Sequence, residues 1–297
     1  MKKFFITYTT ENYKDLTEKL LKSISLFSNY KIICYTINFN WDLDYKNVQM
    51  VRYDLNIIVN NGLRKSYYVD RDNENIYKIL TLKPKLMKYT LSKNKNYKYI
   101  FIDGDIIVNF NIDNIFNYFK NIKNYPLFPN GIWDKMMINN KIDIEKPLMN
   151  KLNVKNRYDY VQTNIILFNK NCFNFIDEWI NINDNITNNY LYYAPLQDET
   201  TGNVLLWKYD YINHLPNISV NILNLKTIKF IDNFKENGET YRIYENDIGN
   251  GWQLVPYPKK DILFFHGCKN LNECDKVINY LTTKKYYFDT IIKWYKN

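Results

Sequence analysis

The sequence predicts an α/β protein, with a parallel or mostly parallel sheet and helices on both of its faces. Three observations carry that expectation. Short apolar runs alternate with segments of helical spacing through the first 125 residues. One of these runs, Tyr97–Ile102, passes directly into Asp103-Gly104-Asp105. Open α/β sheets bind their ligands just beyond such strand ends. The length, 297 residues, is enough for one large domain with a sizeable core.

In chain order, Lys3–Thr9 reads as the first strand. Tyr13–Phe27 reads as a helix, because Leu16, Leu20, Leu21, Ile24 and Phe27 recur at helical spacing. Lys31–Ile37 and Val48–Tyr53 are the next strands. Ile76–Leu91 is expected to be helical, with Pro84 placing its first half in doubt. Beyond residue 120 the pattern loosens. Tyr125–Lys135 reads as loop, Val161–Asn169 as a strand, Phe173–Ile180 as a short helix and Asp198–Tyr209 as another. Glu236–Pro258, with Gly249-Asn250-Gly251-Trp252, reads as irregular, and Asp261–Phe265 as the last strand. Residues 277, 278, 281, 288, 291, 292 and 295 are apolar, so Glu273–Lys296 is expected to be an amphipathic helix. Its Lys284, Lys285, Tyr286 and Trp294 suit either packing on the domain or peripheral contact with an anionic membrane surface. No repeat or low-complexity linker interrupts the chain. A single domain over 1–297 is expected, with a ligand-binding half at 1–125, a more variable half at 126–272 and the helix at 273–297.

Composition narrows the function classes. Hydrophobic content of 46% and charged content of 24% are those of a soluble globular protein. No apolar run approaches the length that crosses a bilayer. The opening MKKFFITYTTENY has too short an apolar core for a signal peptide, so a cytoplasmic location is expected. The four cysteines (Cys34, Cys172, Cys268, Cys274) lack metal-type spacing and read as free thiols. The net charge of +9 suits anionic ligands. The lysines are spread along the chain, without a zinc finger, a basic zipper or an RNA-binding aromatic signature. A basic enzyme for anionic substrates is therefore expected rather than a nucleic-acid binder.

Asp103 and Asp105 are the strongest chemical signal. Two other Asp-x-Asp triplets exist, Asp42-Leu43-Asp44 and Asp70-Arg71-Asp72, but both lie in polar, turn-rich surroundings and read as solvated loops. Only Asp103 and Asp105 follow an apolar strand. Buried charge is costly unless paired or coordinated, and a divalent cation is the simplest partner. A second apolar run, Ile262–Phe265, leads into His266-Gly267-Cys268-Lys269. His266 is a suitable third ligand for Mn²⁺, with Mg²⁺ as the alternative ion, and Lys269 can meet a diphosphate as a point charge. The bland alternative for His266 is a strand-end histidine satisfied by a backbone group.

These motifs resemble those of nucleotide-sugar-dependent glycosyltransferases of the Rossmann-like GT-A fold. The chain is most similar to the retaining group that includes glycogenin and the bacterial lipopolysaccharide galactosyltransferases. That group carries an Asp-x-Asp after an apolar strand, then a Phe-Asn-Ser/Thr-Gly-hydrophobic-Phe-Asn strand, an Asp-Gln pair and a late His-x-x-Gly-x-x-Lys. Here those places are taken by IDGD at 102–105, VQTNIILFN at 161–169, QDE at 197–199 and FFHGCK at 264–269. The late motif is contracted to His-Gly-x-Lys, and Gln162-Thr163-Asn164 keeps an amide but not the glycine.

The resemblance implies transfer of a sugar from a nucleotide-sugar, a UDP-sugar first, to a hydroxyl of a glycan, glycolipid or protein acceptor. It makes Asp105 the direct metal ligand and Asp103 a contact to both metal and ribose. Asp198 would face the anomeric carbon. In an inverting enzyme it or Glu199 would be the base; in a retaining one Asp198 would steady an oxocarbenium ion. Equally, Asp198 and Glu199 suit a helix N-terminus as plain acids. Tyr8 and Thr9, at the end of the first strand, are candidates for the nucleotide base. Lys83 and Lys85 are candidates for the diphosphate, or ordinary surface lysines. Gln162 and Asn164 are candidates for sugar hydroxyls. Two rival readings remain. A sugar-phosphate nucleotidyltransferase would carry a Gly-rich loop where Thr9-Thr10-Glu11-Asn12 stands. A non-catalytic carbohydrate- or nucleic-acid-binding module would keep the fold alone.

Overall fold

The computed structural model describes residues 2–56, 74–108, 112–129, 144–186, 190–194, 196–211, 215, 219–221, 229–236, 239–247, 252–255, 264–266 and 275. Its centre is a five-stranded sheet. β1 (Lys3–Thr9), β2 (Lys31–Ile37), β3 (Val48–Tyr53) and β4 (Lys98–Ile102) run parallel. β6 (Ile165–Phe168) closes the edge antiparallel to β4, giving the order β3-β2-β1-β4-β6. The expected mostly parallel sheet is thus present. Chain progression runs outward from β1 to β3, then jumps to the other side of β1 with β4. The β1/β4 boundary is a topological switch point, where ligands of open α/β sheets bind.

The local sequence explains the main elements. α1 (Lys14–Phe27) buries Leu20, Leu21 and Ile24 and packs on β1 and on β5 (Ile106–Val108). β4 and β6 are fully apolar along Tyr99–Ile102 and Ile165–Phe168 and buried throughout, as strands covered on both faces must be. The single helix expected over 76–91 is instead two, α2 (Glu74–Leu80) and α3 (Leu82–Lys93), divided at Thr81. Pro84 falls in the first turn of α3, where its missing N–H has no intrahelical partner to lose. The Thr81 N–H and hydroxyl both donate to Tyr77 O, at 2.9 and 2.7 Å, and close α2.

After α4 (Lys146–Leu152) and β6, α5 (Phe173–Asp184) extends a turn beyond the expected Phe173–Ile180. A short α6 (Tyr190–Tyr193) leads to α7 (Asp198–Lys208). α5 packs on both α3 and α7. α7 is an internal helix: from Thr200 to Trp207 every residue is buried. Gly202 allows this, since a Cβ there would lie 2.9 Å from the Trp179 ring of α5.

Two expectations are corrected in the second half. The 161–169 strand contracts to Ile165–Phe168 because α7 side chains take over backbone groups of Val161 and Thr163. The 236–258 stretch is largely an antiparallel sheet rather than irregular chain. β8 (Lys229–Glu236), β9 (Glu239–Asp247) and β10 (Trp252–Val255) pair in the order β10-β9-β8. Alternation such as Thr240-Tyr241-Arg242-Ile243 marks these strands, although their many charges obscure it. A third small sheet joins β5, β11 (Phe264–His266) and β7 (Ser219–Asn221). The last strand therefore includes His266, one residue past its expected end. The expected helix at 273–297 lies outside the described residues except for Asp275. Cys34 and Cys172 are buried free thiols; Cys268 and Cys274 lie outside the described residues. No helix among the described residues is long and apolar enough to cross a membrane.

Candidate active site

Asp103, Gly104 and Asp105 form the turn between β4 and β5, closed by the Ile106 N–H donating to Asp103 O at 3.3 Å. The β4–β6 pairing continues one residue past the strands, with the Asp103 N–H donating to Asn164 O at 2.9 Å. Asn164 thus stands opposite Asp103. On the other side, Ile6 of β1 is level with Phe101. Tyr8 and Asp103, each two residues further on, end neighbouring strands at the switch point. Gly104 is required here by space: a Cβ would sit 2.7 Å from Thr17 Oγ1 of α1 and 3.5 Å from Tyr8 O.

Lys83 organises what surrounds Asp103. It enters from the first turn of α3 and is only 3% exposed. Its ammonium reaches Asp103 Oδ1 and Asp198 Oδ2, both at 2.9 Å, and donates to Thr163 O at 2.7 Å. Three acceptors for three N–H donors leave the group saturated. The Phe101 ring flanks it at 5.6 Å. Burial alone would push the Lys83 ammonium down, but Asp103, Asp198 and Tyr8 outweigh it and raise it above its ordinary value. Lys83 is therefore an internal counter-charge between two carboxylates. Lys85 pairs with Asp184 at 2.6 Å, in a more exposed setting.

Asp198 is the first residue of α7 and is 8% exposed. Thr163 Oγ1 donates to its Oδ2 at 2.9 Å, beside Lys83. The preceding residue, Gln197, has φ 49° and ψ −119°, a region that favours glycine. Such a conformation costs about 1–3 kcal/mol and collects at sites where a side chain must be aimed. Its backbone is held by Gln197 N–H to Ala194 O (2.9 Å) and Thr201 N–H to Gln197 O (3.2 Å).

Glu199 is half-buried and spends both carboxylate oxygens inside the protein. Its Oε1 accepts from the Tyr160 hydroxyl at 2.5 Å and its Oε2 from Thr163 N–H at 3.3 Å. Burial pushes its carboxyl up to about 7, with Asp198 adding to the rise, while Tyr160, Thr163 and Lys83 pull the other way. The folded protein thus holds this proton above the ordinary 4.5. Glu199's stabilising share is complete below that value and is lost as pH rises through about 7. Relative to Glu199→Gln, the wild type is expected to lose up to ~3 kcal/mol across this window. Urea unfolding at a series of pH values measures the difference.

One turn along α7, Asn203 replaces a strand neighbour for Val161. Its Oδ1 accepts from Val161 N–H at 2.8 Å, and its Nδ2 donates to Val161 O at 2.9 Å and to Glu199 O at 2.8 Å. Asn203→Ala leaves buried backbone groups unpaired and is expected to cost about 2–4 kcal/mol, read as a lower urea midpoint with unchanged slope.

Gln162 and Asn164 are both 2% exposed. Asn164 Nδ2 donates to Gln162 Oε1 at 3.3 Å, while Asn164 Oδ1 has no partner among the described residues. A buried, unpaired amide oxygen beside Asp103 is suited to a ligand hydroxyl. Tyr8 packs on Phe101 and donates its hydroxyl to Ile79 O at 3.2 Å; Thr9 is buried and donates to Thr10 O at 3.0 Å. For His266 the backbone alone is described: it pairs with Ile106, the residue after Asp105. Lys269 lies outside the described residues. Among the described residues no group of three His, Cys, Asp or Glu side chains gathers to hold a metal. Asp103 and Asp105 lie in the turn that leaves β4, and carboxylates are hard oxygen donors of the kind that Mn²⁺ and Mg²⁺ take.

The structure therefore brings Lys83, Asp103, Asn164 and Asp198 together. Tyr160, Thr163, Gln197 and Asn203 join them without having been singled out in the sequence. The readable signal was in α7: a helix opening on polar residues yet buried must spend those groups on internal partners.

No family model and no curated protein matches the chain. Solved structures do. The apo bifunctional glycosyltransferase WbbM matches 96% of this chain, at a TM-score of 0.56 and 14% identity, over 51% of its own length. The apo glycosyltransferase GlyE of Streptococcus pneumoniae TIGR4 matches 72% of this chain, at 0.43 and 12% identity, over 45% of its own length. The chain thus spans about half the length of these structures. What it shares with WbbM is the fold: a mixed α/β architecture on a mostly parallel five-stranded sheet flanked by helices.

Proposed function

We propose that this protein is a metal-dependent glycosyltransferase of the GT-A type, moving a sugar from a UDP-sugar to a hydroxyl acceptor with retention. The observation that carries the reading is the Lys83 bridge, which sets Asp103 and Asp198 on either side of one ammonium at the switch point. A site that must bind a nucleotide diphosphate on one side and the anomeric carbon on the other needs such a pair of carboxylates held apart.

Asp103, Asp105 and His266 would hold the cation, which when bound supplies Lewis-acid stabilisation of the diphosphate leaving group. Tyr8 and Thr9 border the base, and Lys269 is assigned to the diphosphate. Asn164 Oδ1 accepts a sugar hydroxyl, with Gln162 orienting the Asn164 amide. Asp198 has Oδ2 committed to Lys83 and Thr163. Its remaining oxygen suits a fixed negative charge facing positive charge that develops at the anomeric carbon. That favours retention over a role as acceptor base. The segment Thr10–Tyr13 forms a short 3-10 turn running into α1, and the Gly-rich loop of a nucleotidyltransferase has no counterpart there.

A donor screen that follows UDP and GDP release, with and without Mn²⁺, tests the reading. Release of UDP from one UDP-sugar, dependent on Mn²⁺, is expected. Absence of release from every donor at saturating metal would defeat it.

A further inference from the structure

Thr163 is the point where every buried charge of the site meets. Its carbonyl accepts from Lys83 at 2.7 Å, and its hydroxyl donates to Asp198 at 2.9 Å. Its remaining polar group, the N–H, goes to Glu199 Oε2 at 3.3 Å. The other Glu199 oxygen takes the hydroxyl of Tyr160, a residue 1% exposed and three positions earlier on the same segment. Glu199 therefore clamps the 160–163 segment at two points.

We propose that Glu199 is a positioning residue for the transfer reaction. By accepting from Tyr160 and Thr163 it fixes Thr163, and through Thr163 the relative placement of Lys83 and Asp198. This inference rests on the transferase reading and assigns Glu199 a task other than acceptor base.

The chemistry of the clamp explains the choice of glutamate. Both contacts are donors, so the residue must offer two acceptors. An ionised carboxylate does; a glutamine or a protonated carboxyl offers one, and turns a donor toward the other. The charged and titratable groups around the clamp are Tyr160, Asp198 beside it on α7 and Lys83 from α3. Glu145 faces Tyr160 in turn, with Arg157 3.6 Å from its carboxylate. Gaining a proton at Glu199 thus loosens the clamp while relieving a buried charge. The site is expected to be more stable and less active on the acid side.

The test compares wild type with Glu199→Gln, Glu199→Asp and Tyr160→Phe. Glu199→Gln is expected to fold and to keep its KM for the donor, while kcat falls roughly 10- to 100-fold. Hydrolysis of the donor without acceptor falls by the same factor, because Asp198 and Lys83 serve donor cleavage. The acidic limb of the wild-type kcat profile, near pH 7, is absent in Glu199→Gln. It moves to higher pH in Tyr160→Phe, which loses a hydrogen bond that favours the ionised form. Glu199→Asp, which keeps two acceptors, recovers part of the rate. Infrared difference titration follows the Glu199 carboxyl without any substrate, and its midpoint is expected to move up in Tyr160→Phe. A Glu199→Gln enzyme with wild-type kcat and pH profile overturns the inference and leaves the transferase reading intact. So does one that loses transfer but keeps donor hydrolysis, the pattern of an acceptor base. A midpoint indifferent to Tyr160→Phe likewise overturns it. A wild-type protein that cleaves no nucleotide-sugar overturns the transferase reading, and this inference with it, even where the infrared shift is seen.

Discussion

Lys83→Met is expected to lose about 3–5 kcal/mol of folding stability and all donor turnover. The methylene stem is conserved in volume, so the loss falls on the charge. Without the ammonium, Asp103 and Asp198 face each other across a buried gap, with side chains only 25% and 12% exposed, and Thr163 O loses its donor. Removing one partner of a buried pair leaves the other's desolvation uncompensated, and here two partners are left. Urea unfolding of Lys83→Met, Asp198→Asn and the double variant measures this directly. The double variant is expected to be less destabilised than the sum of the singles, since neutralising Asp198 removes part of what Lys83 neutralised. Lys83→Arg is not a rescue, because a planar fork cannot place three donors where a tetrahedral ammonium does.

Asp105→Ala is expected to abolish metal-dependent donor turnover, by at least about 10³-fold, and to leave the fold intact. Its neighbour Asp103 is tied to Lys83 and, through its backbone, to Asn164. Asp105 stands outside that ion pair. The two variants should differ at the Lys83 bridge: Asp105→Ala loses turnover with that bridge kept, whereas Asp103→Ala breaks it and loses stability as well. Full activity in Asp105→Ala would remove the metal assignment.

The strand end that carries Asp103 and Asp105 was legible because its signal is local. An apolar run that ends on two acids, as Tyr99–Ile102 ends on Asp103 and Asp105, announces a buried strand and the turn that follows it. The similar apolar run Ile262–Phe265 marked the last strand, whereas its pairing of His266 with Ile106 appears only in the fold. Lys83 was different. Nothing in Leu82-Lys83-Pro84-Lys85-Leu86 separates the buried lysine from the surface one. What separates them is Thr163, 80 residues away, brought close only by α3 packing on α5 and α5 on α7. The strand expected at 161–164 failed for a related reason. Propensity favoured β, but Asn203 and Glu199 supplied side-chain partners for the same backbone groups, and tertiary contacts outweigh a local preference. The β8–β9–β10 sheet was hidden by composition: Lys, Asp and Glu sit among its alternating apolar positions, so no window looks hydrophobic enough to be read as strand.

Calorimetric titration with UDP decides whether the end of β4 is a cation-dependent nucleotide site. UDP is expected to bind in the presence of Mn²⁺ and to lose that binding when the metal is removed or Asp105 is replaced by Ala. Binding of equal strength with and without the metal, or no binding in either case, would contradict it.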